Sequence, residues 1–520
     1  MQMLPPAIAD VKAANEGHRG RQSRCDLHNP YVSTRKLRER LLADPDRPRY
    51  HIVAPEGVHA PFDPNGALYW RGRYHLMYIV KLQEGFAWAH VSSHDLVHWR
   101  QHPLALEPGD CDDGIFSGGA FVDREGRPTL VYWGLGERSG ICLARARDEK
   151  LDLWEKIPEN PVIPQCDNGV GWAPNGELVG VADPSAVWQR DGRYYLLTGN
   201  LLVLRDERLD ASHPMRQGDR TYLWVSDDLV HWEYLHPFYE SRREWTQSDE
   251  DDMCPDFFPL GDRHMLLFIS HNRGCQYYLG RYVADRFTAE AHGRMTWADR
   301  DYFAPESLLD GQGRRIMWAW VFDGRRAEVQ EASGWSGTLS LPRVLWLSDD
   351  GELRMGPPEE LATLRRQVLG LAPTSIAADG ELVWEGPRGR ALELDVTLDS
   401  SDANRYGLVV CRAADGSEET VVRYDADAAR LEVDTTRSSL GEGSRTVESA
   451  PLSLGDGEAL RLRVFIDQSV LEVYANERLA IVRRIYPTRA ERGQVVLFSE
   501  GGSARVVSAK AWEMAPANAW

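Results

Sequence analysis

Apolar and polar positions alternate along most of this chain in short runs, with little of the three-to-four-residue spacing that marks helices. Five stretches are especially regular: YWRGRYHLMYIV, FVDREGRPTLVYWG, VWQRDGRYYLLTG, FFPLGDRHMLLFIS and LLDGQGRRIMWAW. In each, aromatic and β-branched residues flank a glycine, usually with a basic residue close behind, which predicts two strands joined by a tight turn. The turn glycines are Gly72, Gly126, Gly192, Gly261 and Gly313, separated by 54, 66, 69 and 52 residues. That period leaves room for two further strands per unit and predicts five four-stranded blades of a β-propeller. The pentapeptide DLVHW recurs at 95–99 and 228–232, as repeated outer-strand elements would. Nine residues before the turn glycines stand Asp63, Ser117, Asp183, Asp252 and Ala304. Inner strands of a propeller start around one mouth of the central channel, so these positions are expected to converge. A generic sandwich with Gly-Arg turns would explain the hairpins but not the three carboxylates.

Past residue 350 the texture changes. MGPPEELATLRRQVLGLAP (355–373) reads as a linker with a short helix. RALELDVTL, YGLVVCRA, ARLEVDT, LRLRVFID, SVLEVYAN and GQVVLFS then alternate as the strands of a β-sandwich do. The expected fold class is all-β: residues 1–45 a partly helical extension around STRKLRERLLAD, 46–350 a five-bladed β-propeller, 351–374 a linker, and 375–520 a β-sandwich. The sandwich holds no acid cluster. Its Asp467 and Glu472 are therefore expected to serve stability or assembly, not chemistry.

Composition narrows the partners. The 520 residues are 42% hydrophobic, with 18 Trp and 19 Tyr, ample for folded cores. A formal charge of −19 argues against nucleic acid and anionic membranes, which demand a basic face. No apolar run is long enough to span a bilayer, and MQMLPPAIADVKAANEGHRG lacks the pattern of an export signal. Seven scattered cysteines (25, 111, 142, 166, 254, 275 and 411), never in a C-x-x-C pair, predict neither structural zinc nor a disulfide framework. A cytoplasmic protein without cofactor or metal is expected; self-association is left open.

Converging carboxylates have three ordinary uses: calcium ligation, surface solvation, or cleavage of a glycosidic bond. The D-x-D-x-D-G spacing of a calcium loop is absent. An Asp-Pro opening a buried strand is not a typical solvated face. Glycoside cleavage needs one carboxylate and one proton donor in environments that push their proton affinities apart. It also favours aromatic platforms, for which Trp88, Trp318, Trp320 and Trp335 are placed, although core packing is the ordinary role of any one Trp.

FDPNG, WAHVSSHDLVHW, GIFSGGAFVD, ADPSAVW, MCPDFFPLGDRHML, DYFAPES, RRIMWAW and GWSGTLSLPRVL occur in the order found in glycoside hydrolase family 32, the β-fructofuranosidases. The C-terminal LRVFIDQSVLEVYANERLAIVRRIYP is similar to that family's sandwich domain. The resemblance spans roughly residues 50–515 and implies a propeller plus sandwich that cleaves β-linked fructose with retention, from sucrose, inulin or levan-type substrates. It makes Asp63 the nucleophile of the N-D-P-N-G motif, followed by Asn65, and Asp183 the transition-state stabiliser of R-D-P. It places Trp88, Phe116 and Ser117 around the fructose, and Trp335 is added as a substrate-facing aromatic. Three departures stand out: Phe62 replaces Asn, Ala182 replaces Arg, and Met253 stands immediately before Cys254 where the E-C-P motif has its acid. The acid is then to come from Glu250, Asp251 or Asp252. The spelling E-D-x-x-C favours Glu250; the nine-residue register favours Asp252. The resemblance also admits fructosyl transfer to a sugar acceptor, or a propeller that binds carbohydrate without turning it over. A five-bladed arabinan-cleaving family shares the acid set but not the C-terminal motif.

Overall fold

The computed structural model describes residues 30–517 apart from 55–56, 168, 206–211, 299, 401 and 490–492. Antiparallel sheets follow one another from Pro64 to Gly356. The first contains Pro64–Trp70, Arg73–Lys81 and Phe86–Ser93, then passes through a parallel bridge, Phe86 to Gly114, into Gly114–Val122, Pro128–Leu135, Gly140–Ala146 and Trp154–Lys156. Two four-stranded meanders come next. They are Trp188–Arg190, Arg193–Thr198, Arg220–Ser226 and Trp232–Glu240, then Met253–Leu260, Arg263–Ser270, Gly274–Val283 and Arg286–Arg294. The path Tyr302–Leu309, Arg315–Val321, Arg343–Leu347 and Leu353–Gly356 closes the series. Tyr302–Leu309 packs against Pro64–Trp70, so the last sheet returns to the first. All five predicted turn glycines lie in the left-handed region, with φ between 60° and 79°. At Gly72, Gly126, Gly192 and Gly313 a Cβ would meet nothing within 4 Å, so backbone conformation and not crowding selects glycine there.

The inner strands share a second device. The pairing register slips between Asn65 and Leu68, Phe116 and Gly118, Met253 and Asp256, and Phe303 and Glu306. Such bulges re-aim a side chain at the strand's beginning. Asp183, Cys254 and Ala304 take positive φ at these starts, 40°, 47° and 46°.

From Arg365 the chain builds two sheets of seven and six strands. Leu392, Leu394, Val396, Val464 and Ile466 from one meet Leu408, Val410 and Leu497 from the other in a fully buried core. The expected linker is more ordered than the sequence suggests. Only Glu359–Leu364 is helical, a 3-10 turn; Arg365–Leu371 is a strand paired with Ala504–Met514. The predicted N-terminal helix forms over Pro30–Ala43. Among the described residues no helix is long and apolar enough to cross a membrane.

Residues 49–51 join the two halves. The amides of Arg49, Tyr50 and His51 donate to the Asp467 carboxylate at 2.7, 2.8 and 2.9 Å. The His51 ring lies between Asp467 (Nδ1, 2.8 Å) and Glu472 (Nε2, 3.2 Å), and Glu472 also accepts from the Leu341 amide at 2.7 Å. Burial opposes charge on this imidazole, but hydrogen bonds to the two carboxylates outweigh it and push its pKa up to about 9. A raised histidine stabilises fully below its unfolded value of 6.5, and that contribution is lost as pH rises through about 9. Asp467→Ala should therefore cost about 3 kcal/mol or more at pH 7, as breaking one partner of a buried ion pair does. The deficit should shrink near pH 10, while turnover per folded molecule stays within about threefold of wild type. Urea unfolding at both pH values, with activity measured in parallel, checks this; lost turnover with unchanged stability would contradict it.

Candidate active site

Asp63 ends the chain's approach to its strand, and Pro64 begins the pairing. The Asp63 carbonyl accepts from the Ile79 amide at 3.1 Å and from Asn65 Nδ2 at 2.8 Å. Asn65 Oδ1 accepts in turn from the Gly118 amide at 2.8 Å. That amide side chain ties two inner strands together and brings Ser117 to the nucleophile candidate: Ser117 Oγ donates to Asp63 Oδ2 at 3.0 Å. Asp63 Oδ1 is buried and, among the described residues, has no hydrogen-bond partner. Asp183 Oδ2 accepts from the Cys254 thiol at 3.4 Å.

Both residues are 7% exposed, and their carboxyls lie close enough to repel. Burial first and the Asp183 charge second push Asp63 up to about 7, against the Ser117 hydrogen bond and the His271 charge. Burial pushes Asp183 up to about 6, opposed by His271 and Cys254 and reinforced by Asp251. Cys254 itself is held as a neutral thiol, its pKa driven well up by burial and by both aspartates.

Cys254 was not singled out by the sequence. The nine-residue count lands on Asp252, but the hairpin of that sheet is two residues shorter, and Cys254 occupies the equivalent place. The signal was present in another form: Pro64, Pro184, Pro255 and Pro305 follow Asp63, Asp183, Cys254 and Ala304. Asp252 is fully buried next to Asp219 and Asp251; burial and those charges raise its pKa well above the usual carboxylate range. Glu250 is fully buried as well. Its oxygens accept from the Gln247 amide at 2.9 Å and Gln276 Nε2 at 2.7 Å, with Arg273 and Arg294 both 3.6 Å away. Neither is among the strongest influences on Asp63 or Asp183.

The aromatic expectations divide. Phe116 is half-buried and packs on Phe86 and Trp133 at ring separations of 5.0 and 5.9 Å, beside Ser117. Trp88 is completely covered, in a core with Met77, Leu106 and Leu130, and Trp318 is equally covered. Trp335 must be corrected: it is no sugar platform. Its indole N–H donates to Asp44 at 2.6 Å, Arg325 stacks 4.3 Å above the ring, and Leu41 and Val53 pack on it. It anchors the N-terminal helix because a buried indole needs an acceptor and Asp44 supplies one. Trp320 is half-buried, packed with Phe303 and Phe322.

The residue preceding each pocket position is apolar and buried: Phe62, Ala182 and Met253 are at most 1% exposed. Phe62 packs on Tyr78 at 5.0 Å, and Met253 lies in the core shared by the middle sheets. The cation whose charge acts on both aspartates is His271, just past the Arg263–Ser270 strand. Its Nδ1 is 2.6 Å from Asp251 Oδ2, and its amide donates to Asp251 Oδ1 at 2.8 Å. Phe303 stands edge-on to the ring at 5.4 Å. Burial disfavours the imidazolium, but Asp251, Asp183 and Asp63 together raise its proton affinity above the ordinary histidine value. Nothing in the local sequence marked it, because its partner lies twenty residues away.

Two domain families match this chain in order: the glycosyl hydrolases family 32 N-terminal domain over residues 51–357, and the family 32 C-terminal domain over 360–513. A sucrose-6-phosphate hydrolase of Escherichia coli is 29% identical, covering 94% of this chain and 99% of its own. One from Zymomonas mobilis is 28% identical, covering 93% and 95%. Fructan 1-exohydrolase IIa of Cichorium intybus superposes with a TM-score of 0.79 at 22% identity, covering 91% of this chain and 98% of its own. The fold is thus the family's propeller followed by a β-sandwich. Two desolvated carboxylates, Asp63 and Asp183, stand at strand starts within the matched N-terminal domain, and the chain belongs to glycosyl hydrolase family 32.

Proposed function

We propose that this family 32 glycoside hydrolase releases β-linked fructose from sucrose or short fructo-oligosaccharides by double displacement. Asp63 is the nucleophile. Asp183, beside it, binds fructose hydroxyls and balances positive charge as the sugar approaches an oxocarbenium ion. The observation that carries this reading is the buried pair itself, raised to about 7 and about 6 and held by Ser117 and Cys254. Asp63 Oδ1 has no other commitment, which suits an oxygen that must form a bond. The sheets from Pro64 to Gly356 are then five blades around a channel, a reading supported by the packing of Tyr302–Leu309 on Pro64–Trp70. Water is favoured over a sugar as the acceptor because the sequence relatives are hydrolases. Sucrose-6-phosphate hydrolases among them support small intracellular substrates over external polymer.

A panel of sucrose, 1-kestose, inulin and levan with products identified tests substrate class. Sucrose and 1-kestose should be turned over at least about tenfold more efficiently than levan; a marked preference for long levan would overturn the small-substrate reading.

Asp63→Asn should lower turnover by about a thousandfold or more, since no other group replaces covalent capture. Retention of a tenth of wild-type activity would remove Asp63 from its role. The nucleophile must be ionised, so kcat/KM should fall as pH drops through about 7, approaching about tenfold per unit. Stability carries the opposite sign. A carboxyl with a raised folded pKa stabilises fully below its unfolded value of 3.8, and that contribution is lost as pH rises through about 7. Asn avoids the loss. Asp63→Asn should therefore melt above wild type at pH 8, with the difference closing toward pH 4.

A further inference from the structure

We propose that His271, positioned by Asp251, is the acid and base of the reaction, the place that Met253 leaves without a carboxyl. The proposal rests on Asp63 and Asp183 acting as described above. In the first step an Asp63 oxygen bonds to the anomeric carbon and the bond to the leaving oxygen breaks. The electron pair goes to that oxygen, which takes the Nε2 proton of the His271 imidazolium. In the second step neutral Nε2 takes a proton from water, the water oxygen bonds to the anomeric carbon, and Asp63 leaves as carboxylate. Protons and charge balance, and no further reactant is needed.

Geometry selects His271 from the ionisable groups of this region. Two contacts to one carboxylate, through the ring Nδ1 and the backbone amide, fix the imidazole and leave Nε2 as its free nitrogen. The side chain keeps 23% of its surface exposed, whereas those of Asp251 and Glu250 keep none. Phe303, at the start of the last inner strand, stands edge-on to the ring at 5.4 Å. Its charge acts on both Asp63 and Asp183, which no other cation does as strongly. The charged groups around it are Asp251, Asp183 and Asp63, together with Arg300, whose guanidinium donates to the His271 carbonyl at 2.9 Å. Against the effect of burial, the three acids raise its proton affinity above that of an ordinary histidine, the direction a proton donor needs. The rival acids are engaged elsewhere. Glu250 is bonded to Gln247 and Gln276 between two guanidiniums, and Asp252 faces Asp219 in a closed region.

An acid is required when the leaving group is a sugar alkoxide and hardly at all when it is a nitrophenolate. His271→Ala and His271→Asn should lower kcat/KM on sucrose about 10³-fold and leave 4-nitrophenyl β-fructofuranoside within about tenfold. Azide should restore turnover of the aryl fructoside and yield fructosyl azide. Asp63→Asn should lose both substrates, so survival of that variant would strike the underlying reading and not this one. Glu250→Gln and Asp252→Asn should affect the two substrates alike. Asp251→Asn, which positions and does not touch substrate, should move the alkaline limb of the sucrose profile to lower pH while the acid limb stays. That shift decides the matter even if the His271 variants fail to fold. Leaving-group dependence in the Glu250 or Asp252 variant, or an alkaline limb unmoved in Asp251→Asn, would overturn the proposal.

Discussion

Two carboxylates removed from water beside each other carry a high desolvation cost, and the strand starts around them supply the groups that hold them. Ionised groups in that position repel and lack hydration, so one of them binds a proton near neutrality. The fold limits the cost with directed partners. Ser117 donates to Asp63, the Cys254 thiol donates to Asp183, and His271 places a positive charge within reach of both. Ser117 belongs to the first sheet, and Cys254 and His271 to the sheet of Met253–Leu260 and Arg263–Ser270, so the pocket exists only when those sheets are assembled. Asn65 shows how tightly this is arranged, bridging Asp63's carbonyl to the next inner strand's amide. The sandwich contributes at a distance: Asp467 and Glu472 grip residues 49–51, which end twelve residues before Asp63.

Much of this was legible because backbone geometry has few solutions. A tight turn between twisted strands wants glycine at positive φ, and five glycines declared five hairpins. Asp-Pro at two strand starts declared the acids. The fourth start was missed because counting back from a glycine assumes hairpins of equal length, and that hairpin is shorter by two residues. Proline, whose ring forbids an amide donor at the strand entrance, keeps register where the count does not. Aromatic residues were the poorest guides. Trp88 and Trp335 are as hydrophobic as any platform, but facing is set by pleat and neighbours, and both are covered. His271 was illegible for a different reason. Its role comes from a carboxylate on another segment and from two aspartates on other sheets, and one-dimensional spacing carries none of these.

Phe62, Ala182 and Met253 form a consistent set. Family motifs place Asn, Arg and Glu at these positions, each next to a pocket residue. Here all three are apolar and packed into the cores behind the strand starts. Losing Arg alone would leave the acids without a cation, and losing Glu alone would leave a leaving group without a proton. Losing both together is a different situation, because one side chain of the right kind replaces both.

Charge accounting shows why that side chain would be an imidazolium. With Arg and a protonated Glu, two ionised aspartates leave the pocket with one net negative charge. Once Asp63 is esterified and Glu has given up its proton, Asp183 and Glu against Arg leave one negative charge again. With His271 as the acid, two aspartates and an imidazolium also sum to one negative charge. After transfer the ester and the imidazole are neutral, and Asp183 alone carries the same charge. Either set spares a desolvated site any change in net charge as the bond breaks, where such a change would be most expensive. A carboxylic acid installed at Met253 without a restored arginine and with a neutral His271 would instead hold two negative charges in that volume throughout. The apolar residue at 182 therefore constrains the chemistry available at 253, and a cationic acid held by Asp251 satisfies both constraints at once.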